Sequence, residues 1–123
     1  MNELLNQEKS IYLQICEMIE TDILRGILLE EERVPSTNEL ARMYTINPAT
    51  AAKGVNILVD SGILYKKRGI GMFVVIGAKE RIKAARRESF KEKYIVALVG
   101  EAKGLGLQKK DIVSMIESVM EDE

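Results

Sequence analysis

The chain has no histidine, and Cys16 is its one cysteine among 123 residues. Without imidazole, general acid–base catalysis loses its commonest participant and a transition-metal shell its commonest ligand. A lone cysteine cannot close an internal disulfide, and its place within an apolar helical pattern reads as a buried structural thiol. The N-terminus, MNELLNQEKS, carries acids and amides where a secretory signal needs a basic start and a long apolar run. No apolar stretch approaches the roughly 20 residues of a membrane span. Paired cysteine motifs and a serine in a nucleophile elbow are missing too. The pair Gly69-x-Gly71 lacks the third glycine and the following helix of a dinucleotide fingerprint. These absences predict a cytoplasmic, non-enzymatic protein with no catalytic residue, no cofactor and no metal.

Any strong excess of one charge is also missing, since the formal net charge is −1. Nucleic-acid modules are commonly basic, so a binding role here rests on where the charges lie. Between Arg33 and Phe73 the basic residues Arg33, Arg42, Lys53, Lys66, Lys67 and Arg68 face only Glu39 and Asp60. That segment is locally positive inside a chain that is not. Such a modest field predicts weak non-specific affinity and a steep loss of binding with salt.

The same segment carries the densest structural signals. Ser36-Thr37-Asn38-Glu39 has the form of a capping box, which starts a helix at Ser36. That helix can run only to about Tyr44, because Asn47 and Pro48 form a second start signal, an N-cap followed by proline at the first helical position. Two short helices therefore meet at a tight turn. The second places Ala51, Gly54, Val55 and Leu58 on one face and Ala49, Lys53 and Asn56 on the other, and Gly62 stops it. Ile63 to Arg68 then reads as a strand, Gly69-Ile70-Gly71 as a turn and Met72 to Ile76 as the returning strand. The order is that of a winged helix-turn-helix, with a basic run beside the glycine tip.

Upstream, Ser10 to Arg25 places Ile11, Ile15, Met18, Ile19 and Ile23 at helical spacing, with Gly26 as the stop. The run Glu30-Glu31-Glu32 reads as a solvated loop. Downstream, Gly77-Ala78 reads as a hinge, Lys79 to about Lys103 as a long charged helix, and Gln108 to Glu121 as a last helix with Ile112, Met115 or Ile116, and Val119 on one stripe. Two helices of this size cannot bury their apolar faces alone. They either buttress their own winged domain or pair with a second copy, and the latter fits the reading of a palindrome by two recognition helices about 34–36 Å apart. The predicted class is α+β: residues 1–76 form a winged helix-turn-helix of three helices plus a two-stranded wing, and residues 77–123 a short two-helix dimerisation tail.

These residues resemble the GntR-type bacterial transcription regulators. The likeness lies in IYLQI at Ile11, VPSTNELA at Val34, NPATAAKGVNILVDSGIL at Asn47 and RGIGMFV at Arg68. The Asn-Pro start and short tail are similar to the YtrA-like branch, which implies a repressor of its own operon, a transporter operon in that branch, acting as a homodimer on palindromic operator DNA. The DNA-binding residues the resemblance implies are Ser36, Thr37, Asn38, Asn47, Ala49, Thr50, Lys53, Lys67, Arg68 and Gly69. Ser36 matches a phosphate-contacting position, although the cap alone also explains its hydroxyl. Asn38 stands where many members have a base-reading arginine, and Pro48 and Ala52 replace arginines of other branches. Readout then falls to methyl contacts of Ala49 and Thr50 with thymine and to Lys53 on phosphate or guanine. Lys67, Arg68 and Gly69 read as wing contacts or as a basic edge that blocks strand pairing. The tail is too short for the effector domains of larger relatives, so a small-molecule effector would have only a dimer crevice. A winged helix used as a protein-interaction module is the competing reading.

Overall fold

The computed structural model describes residues 10–122. It divides into two compact units, the first ending at Ala84 and the second beginning at Ala85.

In the first unit α1 spans Ile11–Leu24 after Ser10 and ends at Gly26, which takes the left-handed φ of 76°. Ile15, Met18, Ile19 and Ile23 are buried, as their spacing predicts, and so are Gln14 and Asp22. Helix α2 spans Thr37–Tyr44, and both bonds of the capping box form. The Ser36 hydroxyl accepts from the Glu39 N–H at 3.0 Å, and the Glu39 carboxylate accepts from the Ser36 N–H at 3.1 Å. Thr45, left-handed at φ 53°, closes the helix without a glycine. Helix α3 spans Pro48–Asp60, with Asn47 Oδ1 accepting from the Ala49 N–H at 2.8 Å.

Ala51, Gly54, Val55 and Leu58 turn inward from α3 against α1. Gly54 is required there. A Cβ on it would lie 2.7 Å from the Tyr12 carbonyl oxygen and 3.2 Å from Ile15 Cβ, so α1 and α3 approach at backbone distance. The Cys16 thiol, 3.0 Å from the Gly54 carbonyl oxygen, donates to it across that contact.

Strands β1, Leu64–Lys67, and β2, Gly71–Val74, pair antiparallel with Tyr65 opposite Phe73 and Lys67 opposite Gly71. The strands are shorter than the sequence pattern predicts, although the Val75 N–H still donates to the Ile63 carbonyl in the same register. The acidic run is not a free loop. Glu31 and Val34 donate backbone N–H groups to Val74 and Met72, and Val74 donates to Glu32, so residues 31–34 line the other edge of β2 while the Glu31 and Glu32 side chains stay exposed. The charge pattern describes those side chains only; the backbone still needs partners, and β2 supplies them.

The expected hinge at Gly77-Ala78 is instead the start of α4, Ala78–Phe90. Ala78 and Ile82 are 0% and 1% exposed and belong to the same core as Ile15, Ile19, Leu40, Leu58 and Val74. Two apolar residues four apart gave this turn a buried face that the surrounding charge hides in the sequence.

In the second unit α4 ends at Phe90, Lys91–Ile95 widens into a π-helical turn, and α5 spans Val96–Gly104. Leu105 caps α5, Gly106 takes φ 74°, and α6 spans Lys109–Glu121 after Gln108. Phe90 and Tyr94 pack ring to ring at 5.4 Å across the π turn. Among the described residues of this unit only Ala102 is buried.

Candidate nucleic-acid interface

With the apolar face of α3 committed to the core, its other face is left outside. Asn47, Ala49, Lys53 and Asn56 are exposed, and Thr50 is half-buried beside them. Lys53 is not extended freely: its ammonium sits 4.0 Å from the centroid of the Tyr12 ring on α1. A cation over an aromatic face keeps its charge while losing rotamer freedom, so Lys53 is presented from a fixed place. At the start of α2, Asn38 is exposed, whereas Ser36 and Thr37 are half-buried and the Ser36 hydroxyl is engaged in the cap. Its remaining donor capacity leaves the hydroxyl able to serve both the cap and an anion.

The wing presents Lys66, Lys67, Arg68, Gly69 and Ile70 to solvent. The Lys67 carbonyl accepts from the Ile70 N–H at 2.9 Å, and Gly69 takes φ 78°, which a residue with a Cβ adopts only at a cost. Tyr65 and Phe73 pair across the hairpin at 5.9 Å, and Lys67 lies over the Phe73 ring at 4.5 Å. The aromatic pair stiffens the strands that carry the basic tip.

Several supporting groups flank these residues. Arg33 pairs with Glu39 at 3.4 Å, joining the segment beside β2 to the cap of α2. A Cβ on Gly71 would stand 2.8 Å from Arg33 Nε, so β2 begins at a glycine that makes room for Arg33. The Tyr65 hydroxyl donates to the Glu31 carboxylate at 2.8 Å. That bond raises the Tyr65 pKa, because ionising the phenol would remove the donor beside a carboxylate. The Glu39 carboxyl is held below its ordinary value, first by the Ser36 N–H it accepts from, then by the Ser36 side chain, with Arg33 and Arg42 adding to it. Only Glu39 of this group could have been anticipated, from the S-x-x-E spacing. Tyr12, Glu31 and Arg33 gain their roles through contacts distant in sequence.

The interface is thus a helix flank, a capped helix start and a basic hairpin tip, all carried by one core. Among the described residues no cluster of acidic or sulfur ligands could hold a metal ion, and no helix is long and apolar enough to cross a membrane.

Residues 11–74 match the bacterial regulatory proteins of the gntR family. The HTH-type transcriptional repressor YtrA of Bacillus subtilis (strain 168) is 28% identical over 112 residues, which cover 91% of this chain and 85% of that protein. A crystal structure of a GntR-family transcriptional regulator from Bacteroides thetaiotaomicron is similar at 36% identity and a TM-score of 0.73, covering 91% of this chain and 97% of that one. AraR(DBD) in complex with operator ORX1 is similar at 30% identity and a TM-score of 0.52, over 61% of this chain and 92% of that one. The chain therefore belongs to the gntR family of bacterial regulatory proteins, as a winged helix-turn-helix transcriptional regulator of the DNA-binding kind and not an enzyme.

Proposed function

We propose that the protein is a homodimeric repressor that binds a palindromic operator at its own operon, a transporter operon as the likeness to the YtrA branch implies. The observation that carries the reading is the outward flank of α3 together with the basic wing tip, Lys66 to Ile70, since the side chains of both are left outside the core. In this reading α3 enters the major groove, where Asn47, Ala49 and Thr50 meet base edges and Lys53 meets phosphate or guanine. Ser36, Thr37 and Asn38 meet the backbone at the start of α2, where the helix N-terminus favours an anion. Lys67, Arg68 and Gly69 bring the wing tip to the adjacent phosphates. Such a regulator works in the cytoplasm, where its DNA is.

The second unit supports the dimer in this reading. Leu98, Leu105, Met115, Ile116 and Val119 are all exposed, and with Ile112 they line an apolar groove of about 420 Å³. So much apolar surface on so small a helix pair is stable in water only when covered. A second copy supplies a matching surface by symmetry and the second recognition helix a palindrome requires.

Fluorescence anisotropy with DNA from upstream of the chain's own gene tests the reading. Specific binding should be steeply salt-dependent, and Arg68→Ala should weaken operator and random DNA alike while lowering the salt slope by about one per subunit. Equal affinity for both DNAs in the wild type contradicts the reading and favours a protein-docking wing. An Arg68→Ala protein with altered base preference and an unchanged slope would make Arg68 a base reader instead.

A further inference from the structure

We infer that Arg81 is a positioning residue for operator reading: it fastens the C-terminal end of the recognition helix α3 to the first turns of α4. The inference rests on the dimeric DNA-binding reading above and names a residue that reading does not use.

The end of α3 has a charge problem. Its last turn holds Asp60 and no basic residue, which places a negative side chain at the negative end of the helix dipole. Local groups satisfy part of the terminus: the Ser61 hydroxyl donates to the Leu58 carbonyl at 3.2 Å, and the Ile63 N–H donates to the same carbonyl at 2.9 Å. The carbonyls just past the helix, of Ser61 and Gly62, accept from Arg81 Nη1 at 3.4 and 3.2 Å. One guanidinium nitrogen thus bridges two carbonyls and brings the positive charge that the last turn of α3 lacks.

Gly62 is fitted to this contact in two ways. Its φ of +77° is the left-handed conformation that ends the helix, and a Cβ there would collide with Arg81 Nη1. Arg81 in turn is held by its neighbours, because Ala78 and Ile82 are buried in the core and the Arg81 N–H donates to the Gly77 carbonyl at 3.1 Å. Helix α4 runs on to Phe90, past Ala84, where the first unit ends. A shift of the α3 terminus away from the start of α4 must break both bonds. The end of the helix that reads bases is therefore tied to the core-anchored start of α4, and this tie fixes the orientation in which α3 meets its half-site.

The test measures full-length protein by anisotropy on its operator and on the same operator with one base pair changed within each half-site. Wild type should prefer the original sequence. Arg81→Ala should lower that preference by about fivefold or more, the loss of hydrogen bonds to a charged group, with the salt slope unchanged. Arg81→Lys, which returns a cation to the same carbonyls, should recover part of the preference. If Arg81→Ala does not fold, Arg81→Gln is judged by the same ratio. An unchanged ratio overturns the role, and so does a salt slope reduced by about one per subunit at constant ratio, which marks a phosphate contact. A wild type that binds random DNA as well as operator overturns the DNA-binding reading itself, and the positioning role with it.

Discussion

Adding one methyl group at Gly54 should destabilise the winged unit although alanine is the better helix former. In an open helix interior the change would gain about 1 kcal/mol. Here the new Cβ would stand 2.7 Å from the Tyr12 carbonyl oxygen and 3.2 Å from both Ile15 Cβ and Cγ2. The nearest of these is backbone, so relief requires α1 to move and not merely a side chain to turn. Overpacking of a closed core costs about 1–3 kcal/mol, and the rigid neighbour places this site at the upper end. Displacing α1 also stretches the bond from the Cys16 thiol to the Gly54 carbonyl. The net loss is about 1–2 kcal/mol, which lowers the melting temperature of a unit of this size by about 5–15 °C. Thermal unfolding followed by circular dichroism, with urea titration for the free energy, reads it directly. Operator affinity should fall as well, because α3 loses its close seat on α1. An unchanged or raised melting temperature would refute the backbone-distance packing of α1 on α3.

Burial pushes the Cys16 thiol up to about 11 from an ordinary 9.0, with Glu20 and Glu17 adding to the shift. The neutral thiol is thus favoured in the fold, and its contribution is complete below about pH 9 and lost as pH rises toward 11; the stability difference between wild type and Cys16→Ala, from urea titrations across that range, should shrink accordingly. Native protein should also resist maleimide at pH 8 and react once unfolded. Ser36→Ala should cost about 1 kcal/mol through loss of the helix cap, measured by urea unfolding. The lowered Glu39 pKa means that its share of the cap is present above the ordinary 4.5 and is lost as pH falls through the folded value, so acid titration of Glu39→Gln should show a weaker decline than wild type. A fragment ending at Ala84 should keep its cooperative melt, whereas one ending at Ile76 should lose it or melt far lower, since Ala78 and Ile82 are then missing from the core.

The elements that the sequence discloses are those whose causes are local. Ser36 with Glu39, and Asn47 with Pro48, set two helix starts through bonds spanning two or three residues, and both form as the spacing implies. The inward face of α3 is legible because a buried stripe must repeat at helical spacing. What the pattern hides is set by partners distant in the chain. The pairing of Glu31 and Glu32 with β2 depends on backbone groups that carry no side-chain signature. Ala78 and Ile82 are two apolar residues amid charge, and only the core that receives them shows that they are buried. Arg81 is one of several basic residues in its helix, and nothing but the Gly62 turn distinguishes it. At the candidate interface the residue types could be named in advance, whereas the docking of Lys53 on Tyr12 and of Lys67 on Phe73 could not. Both need ring positions fixed by tertiary structure.

The central claim is that two copies, joined through residues beyond Ala84, read one palindrome together. Sedimentation of the full chain and of the fragment ending at Ala84, each with and without a palindromic operator duplex, tests it most directly. The account predicts a dimer for the full chain and two chains per duplex, a folded monomer for the fragment, and a fall in operator affinity of about a hundredfold or more once the second half-site is no longer tethered. A full chain that sediments as a monomer at micromolar concentration, or a fragment that remains dimeric and binds as before, contradicts it.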